Sequence, residues 1–230
     1  MSTPPPLVRC SGAARTYGTG QAATVALQPT DCVVLERARI ALVGPSGSGK
    51  STLVHLMAGL DEPTSGSVDW PALGARAALR PGPVAVIFQG PSLLPPLTVE
   101  ENVALPLVLG GMDDDAAHSA ARIALELLDL SDLAAKLPEE ISGGQAQRVA
   151  VTRALAGRPR LILADEPTGQ LDRESATDVI EVLLAAADHA DAALLVCTHD
   201  PEIAARLDLQ WAMRDGRLEA GRAVEATWSR

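Results

Sequence analysis

Aromatic side chains are almost missing from this sequence: one tyrosine, one phenylalanine and three tryptophans make up 2% of its 230 residues. Apolar residues still reach 47%, so a core must be built mainly from Ala, Val, Leu and Ile. Lysine is nearly as scarce. Only Lys50 and Lys136 occur, and arginine carries the rest of the positive charge, so a lysine inside a glycine-rich stretch asks for a reason. Basic residues as a class are in deficit, 19 against 29 acidic, for a formal net charge of −10. That balance argues against a nucleic-acid protein held by phosphate contacts, which needs a basic face, and against docking on an anionic bilayer by charge alone.

Cysteine is sparse and unpatterned. Cys10, Cys32 and Cys197 show neither paired spacing nor CxxC, and each reads as a small buried hydrophobe in a reducing compartment. No apolar run approaches the ~20 residues that span a bilayer. The longest, "NVALPLVLGG", is cut by Pro106 and ends in glycines. The N-terminal "MSTPPPLVRC" lacks a basic region followed by an apolar core, so a frayed tail is expected there and not a secretory leader. The expectation is a soluble protein that reaches a membrane only through a partner.

What is present alternates. Short β-rich apolar runs are separated by helical stretches, without internal repeats, and this favours one large α/β domain with a mostly parallel sheet. "RIALV" (39–43), "VAVIF" (84–88), "RLILA" (160–164) and "ALLVC" (193–197) read as buried strands. In "KSTLVHLMAGL", Leu53, Leu56, Met57 and Leu60 recur at i, i+3, i+4 and i+7, predicting one buried helix face. No strand is expected between about 91 and 157, a Pro- and Gly-broken helical region that reads as a subdomain inserted into the sheet domain. "WAMRDGRLEAG" predicts a hairpin turning at Asp215–Gly216. The strands end on polar residues: Gln89, Asp165 with Glu166, and Thr198 with His199. Ligands of open α/β sheets bind beyond the carboxyl ends of strands, which would bring these groups to one site.

"GPSGSGKST" (44–52) matches G-x-x-x-x-G-K-[ST] in full, after a strand and opening a helix. Such a loop turns its backbone N–H groups toward a phosphate, aided by the helix dipole. Gly44, Ser46, Gly47, Ser48, Gly49 and Thr52 form the cradle. Lys50 would reach the β- and γ-phosphates, and the Ser51 hydroxyl would ligate Mg2+. In "LILADEPTGQLD" (161–172), Asp165 is suited to hold Mg2+ through water, and Glu166 to orient and deprotonate an attacking water. "ISGGQAQRVA" (141–150) poses a different problem. Ser142 and Gln145 have capping-box spacing, yet Gly143 and Gly144 sit in the first turn, where glycine costs about 1 kcal/mol relative to alanine. One explanation is an anion lying directly against that backbone.

Taken together and in this order, "GPSGSGKST", "FQ" at 88–89, "ISGGQ" at 141–145, "LILADE" at 161–166, "GQLD" at 169–172 and "TH" at 198–199 resemble the nucleotide-binding subunit of an ATP-binding cassette (ABC) transporter. The likeness runs from about residue 7 to 220, leaving 1–6 and 221–230 as tails. It implies a P-loop NTPase with a RecA-like, mostly parallel sheet, a small antiparallel β subdomain (both within 7–90 and 158–220) and an inserted helical subdomain, 91–157. "ADEPTGQLD" and "LLPPLTVEENVALPL" look most like the branch of macrolide exporters, lipoprotein-releasing complexes and the cell-division ATPase. The segment from 66 to 89 is shorter than usual in the family, so the β subdomain is expected to be trimmed.

The resemblance also implies roles. Tyr17 matches the aromatic that stacks on adenine, Gln89 the residue that contacts Mg2+ and couples the site to the membrane partner, and His199 the switch histidine on the γ-phosphate. Ser142, Gly143, Gly144 and Gln145 would contact the ATP of the facing subunit, so that a homodimer sandwiches two ATP molecules head to tail. Glu166, His199 and Lys50 would be the catalytic set. The implied function is Mg-dependent ATP hydrolysis by a cytoplasmic subunit, peripheral on the inner face of the cell membrane and bound to an integral-membrane permease. Two other readings are an ABC-type ATPase of DNA maintenance or translation, and a regulatory ATP-binding switch. The long coiled coils or doubled cassettes of the former are not in the sequence, and the acidic balance is wrong for a nucleic-acid partner.

Overall fold

The computed structural model of the chain describes residues 4–223. Two sheets are present. Strands β1 (Val8–Tyr17), β2 (Thr24–Val34) and β4 (Ser65–Asp69) form a three-stranded antiparallel sheet in the order β2-β1-β4. Strands β3 (Arg39–Val43), β5 (Val84–Ile87), β6 (Leu161–Asp165), β7 (Ala193–Thr198), β8 (Leu209–Arg214) and β9 (Arg217–Ala223) form the second sheet, in the order β5-β6-β7-β3-β8-β9. Its pairs are all parallel except the closing β8–β9 hairpin.

The inner parallel strands β3, β6 and β7 are buried on both faces, which is why they read as continuous apolar runs. Every residue of β6 and β7 is buried. Because successive side chains point to opposite faces, β7 feeds two cores. Leu195 and Cys197 join Leu53, Leu56 and Met57 of helix α1 (Lys50–Met57) on one face. Leu194 and Val196 join Val179, Ile180 and Leu183 of helix α5 (Arg173–His189) on the other, where the short α6 (Pro201–Ala204) also packs through Ile203. Helices α2 (Val99–Leu109), α3 (Asp114–Leu127) and α4 (Gly143–Leu155) bury a third cluster between them, built on Val103, Leu107, Ala121, Leu125 and Val149.

Two local expectations are corrected. Leu60 does not continue the buried face of α1; it is exposed. The helix stops at Met57 because Gly59 takes a left-handed φ of 67°, and Leu60 N–H then closes on the His55 carbonyl at 2.9 Å, the 6→1 bond of a Schellman end. Pro106 does not cut the chain either, since it lies inside α2. That helix is anchored by a full capping box between Thr98 and Glu101 and by burial of Val99, Val103, Ala104 and Leu107. These offset the N–H that proline lacks.

Between β4 and β5 the described chain forms no further strand. Trp70 Nε1–H, donating to the Met57 carbonyl at 2.7 Å, pins that segment to the end of α1 instead. Pro6, placed in the N-terminal tail by the sequence, is buried, and its carbonyl accepts from Ala72 N–H. β9 runs past 220 to Ala223. The remaining tail residues, 1–3 and 224–230, lie outside the described residues. No described helix is long and apolar enough to cross a membrane.

Candidate active site

The glycine-rich loop joins β3 to α1 without a spare residue. Gly49 caps the helix with φ 102°, and a Cβ there would press into the Ala26 carbonyl oxygen, so the loop tolerates only glycine at its closest approach to β2. The next residue, Lys50, is buried. Its ammonium donates to the carbonyls of Gly44 (2.8 Å) and Pro45 (3.0 Å) and lies 3.3 Å from Glu166 Oε1. Ser48, also buried, has a hydroxyl with no hydrogen-bond partner among the described residues. Gly44 and Ser48 are not among the residues that line the loop's cavity, whose wall from this loop is Ser46, Gly47, Gly49, Lys50, Ser51 and Thr52.

The end of β6 supplies the carboxylates. Ser51 Oγ donates to Asp165 Oδ1 at 3.0 Å, which brings a hydroxyl and a carboxylate, both hard oxygen donors, to one point. Among the described residues no group of three or more His, Cys, Asp or Glu is placed to hold a metal. A divalent ion beside Ser51 and Asp165 would therefore draw further ligands from the phosphates it accompanies, as Mg2+ does. Beneath Asp165, Cys197 on β7 has its thiol pushed well up by burial, with the nearby Asp165 carboxylate acting in the same direction.

Glu166 takes a left-handed φ of 49°, with its N–H on the Cys197 carbonyl. That turn sets its carboxylate between two basic side chains: Oε1 3.3 Å from the Lys50 ammonium, and Oε2 3.7 Å from His199 Nδ1. A cavity of about 350 Å³ is lined by Ser46, Gly47, Gly49, Lys50, Ser51, Thr52, Gln89, Asp165, Glu166 and Ala26. A second, of about 790 Å³, holds His199, Thr198 and Arg173 and shares only Glu166 with the first. Three polar strand ends thus converge, with Glu166 at the junction.

Sequence reasoning missed two neighbours. Ala26, on β2, walls the cavity and carries no signal that could have revealed it. His55 could have been found, because it stands at i+4 from Ser51 and so shares its helix face. Its Nε2 is buried without a hydrogen-bond partner, 3.9 Å from Asp165 Oδ2, and its ring is 6.2 Å from that of Phe88.

Tyr17 lines neither cavity. It pairs with Thr24 across β1–β2, two positions before Ala26, and is 41% exposed. Its hydroxyl donates to Asp61 Oδ2 at 2.9 Å, and the Arg15 guanidinium, ion-paired to the same carboxylate, lies 4.6 Å from the ring centre. Partial burial works to raise the Asp61 carboxyl, but the Glu62 N–H, the Tyr17 hydroxyl and Arg15 together hold it below its ordinary value.

Ser142, Gly143, Gly144 and Gln145 also line neither cavity. The capping box at the start of α4 is formed in both directions, Gln145 N–H to Ser142 Oγ (3.2 Å) and Ser142 N–H to Gln145 Oε1 (2.9 Å). The two glycines inside it have no left-handed φ. A Cβ on Gly143 would meet nothing within 4 Å, and one on Gly144 only the Ser175 side chain, at an ordinary 3.4 Å. Nothing in this chain's own packing calls for glycine at either place.

Residues 27–169 match the family model for ABC transporters. The chain is 39% identical to the lipoprotein-releasing system ATP-binding protein LolD of Shewanella oneidensis, over 95% of this chain and 98% of that one. It is 41% identical to LolD of Legionella pneumophila over 90% and 94% of the two chains. Among solved structures, the dimeric post-hydrolysis state of the ATP-binding cassette MJ0796, bound to ADP and Pi, superposes with a TM-score of 0.85 at 32% identity, covering 95% of this chain and 99% of that one.

Proposed function

This chain belongs to the ABC transporter family, and from that premise we propose that it is the ATP-hydrolysing subunit of a lipoprotein-release type complex. It drives a separate integral-membrane permease from the cytoplasmic side by closing as a pair around ATP and opening after hydrolysis. The observation that carries the reading is the position of Glu166, held by its left-handed backbone between Lys50 and His199 at the mouth of the loop cavity.

The reading gives each residue a role. The loop N–H groups and Lys50 grip the phosphates, and Lys50 exchanges the Gly44 and Pro45 carbonyls for phosphate oxygens as it does so. Ser51 and Asp165 would hold Mg2+, with Gln89 on the same cavity wall. When bound, Mg2+ neutralises charge on the β- and γ-phosphate oxygens. Glu166 accepts the proton of the attacking water, and His199, largely exposed beside it, holds the γ-phosphate. Tyr17 presents its half-exposed ring to adenine at the tip of β1.

Ser142 to Gln145 serve the partner. These residues line neither of the two cavities at the site, and the glycines are free of any internal packing demand, as a surface reserved for close backbone approach requires. Reciprocal use of such a surface makes a two-fold pair, and MJ0796 was solved as a dimer. In this reading 7–90 and 158–220 form the catalytic core, and 91–157 carries the Ser142 segment across to the partner.

Glu166→Gln tests the proposal. The variant keeps the shape of the side chain but not its basicity, so turnover should fall about 10²–10⁴-fold while ATP still binds and the protein elutes as a dimer in its presence. Hydrolysis at the unaltered rate, or a monomer with ATP bound, overturns it.

A further inference from the structure

Strands β1 and β2 pair in a register that sets Cys10 directly opposite Cys32. Opposed residues of antiparallel strands project from the same face, with Cα atoms about 4.5–5.5 Å apart, inside the roughly 4.4–6.8 Å over which disulfides close. Cys10 is buried in the core cluster and Cys32 packs, half-buried, against the same cluster. The two side chains therefore stand side by side on one face of the ladder. Contact with Cys10, then burial, and more weakly Asp31, hold the Cys32 thiol far above its ordinary value. The third cysteine, Cys197, lies on β7 of the other sheet.

We infer that Cys10 and Cys32 form a dithiol modification site, which a peroxide converts into a cross-strand disulfide. Cys32, the partner with solvent access, loses its proton to water, and its sulfur attacks hydrogen peroxide. The O–O bond breaks, giving a sulfenic acid on Cys32 and a hydroxide that is protonated to water. Cys10 then gives up its proton and attacks the Cys32 sulfur, expelling a second hydroxide that leaves as water. Two thiols lose two electrons in total, and one peroxide becomes two waters. Because the Cys32 thiol is held protonated, the reaction is slow and needs peroxide in excess.

The bond would staple the regular end of the ladder. Val8, Arg9 and Cys10 pair in step with Val34, Val33 and Cys32, whereas register shifts interrupt the ladder between Cys10 and Tyr17. A cross-link at Cys10–Cys32 therefore leaves the bulged stretch that leads to Tyr17 and Ala26 as it is. The oxidised protein should resist unfolding more strongly, since the link restricts the unfolded chain, while binding nucleotide as before.

The test uses the full-length protein, treated with excess hydrogen peroxide, then unfolded and alkylated with iodoacetamide. One cysteine, Cys197, should remain alkylatable where the untreated protein has three, and dithiothreitol should restore all three. A non-reducing peptide map should contain a linked Cys10–Cys32 pair, which Cys32→Ser loses. The oxidised form should melt several degrees higher with ATP affinity unchanged within about twofold. Survival of all three thiols, irreversible oxidation of Cys32 without a link, or a link to Cys197 or to a second copy overturns the inference. The peptide map reads the natural protein directly, so the outcome does not depend on whether the variant folds.

Discussion

Ser51 and Asp165 are 114 positions apart, yet Ser51 Oγ donates directly to Asp165 Oδ1 at 3.0 Å, tying the first turn of α1 to the end of β6. The pair is the part of the site best suited to a divalent ion. Asp165→Asn preserves the shape and removes the charge. ATP turnover should fall at least roughly 10–100-fold, the range seen when a metal's supporting groups are lost. Chelating Mg2+ should weaken binding of a fluorescent ATP analogue to the natural protein and leave the variant unaffected. Turnover within twofold of normal would remove Asp165 from the site.

Stability and activity should part company at Gly143. An alanine there meets no neighbour and improves helix propensity, so it should stabilise the protein by roughly 0.5–1 kcal/mol, about 2 °C in Tm. If the same surface must lie against the partner's nucleotide, the added methyl should cut turnover and abolish ATP-dependent dimerisation in the Glu166→Gln background. Thermal melts and size-exclusion chromatography read the two effects separately. A more stable protein with undiminished turnover would show that the glycine serves no ligand.

Asn102, fully buried on α2, holds the segment that follows Gln89. Its Oδ1 accepts from Leu94 N–H (2.8 Å), and its amide nitrogen reaches the carbonyls of Leu94, Leu97 and Thr98 at 3.0–3.1 Å. Asn102→Ala strips several backbone groups of their partners and should destabilise by about 2–4 kcal/mol. Chemical denaturation would measure it. Hydrogen exchange should show new opening at Leu94 ahead of the rest of helices α2, α3 and α4.

Acid should weaken the Tyr17 end of the β1–β2 pair. Asp61 has a folded value below its ordinary 3.8, so its contribution is complete above that value and fades as pH falls through the lower folded value. Asp61→Asn should therefore lower Tm near neutrality by about 2–4 °C or less, the site being partly solvated, and the gap from the natural protein should close below about pH 4. A gap that stays constant down to pH 3 would mean the charge on Asp61 is not what matters.

Much of the architecture was legible because parallel strands buried on both faces cannot disguise themselves. "RLILA" and "ALLVC" have no polar face to confuse with a helix, and Asp215–Gly216 announces its own hairpin. The errors came where a neighbour decided. Leu60 fits the helical period, but Gly59 ended the helix first. Pro106 looks like an interruption, but the capping box and apolar face of α2 outweigh one missing bond. Tyr17 was visible as a lone aromatic; its attachment to Arg15 and Asp61 was not, since 44 residues separate Tyr17 from Asp61.

By itself the sequence determined the glycine-rich loop and its setting: strand, glycine loop, lysine, hydroxyl and helix are contiguous, and the conformational limits of glycine and the helix dipole act over a single turn. It also determined that α4 begins with a serine cap and two glycines. Only the tertiary structure decided that Glu166 stands between Lys50 and His199, that His55 faces Asp165, and that Cys10 meets Cys32. Those meetings depend on strand order and register, which are fixed when whole sheet faces are buried together and which no short stretch of chain can set alone.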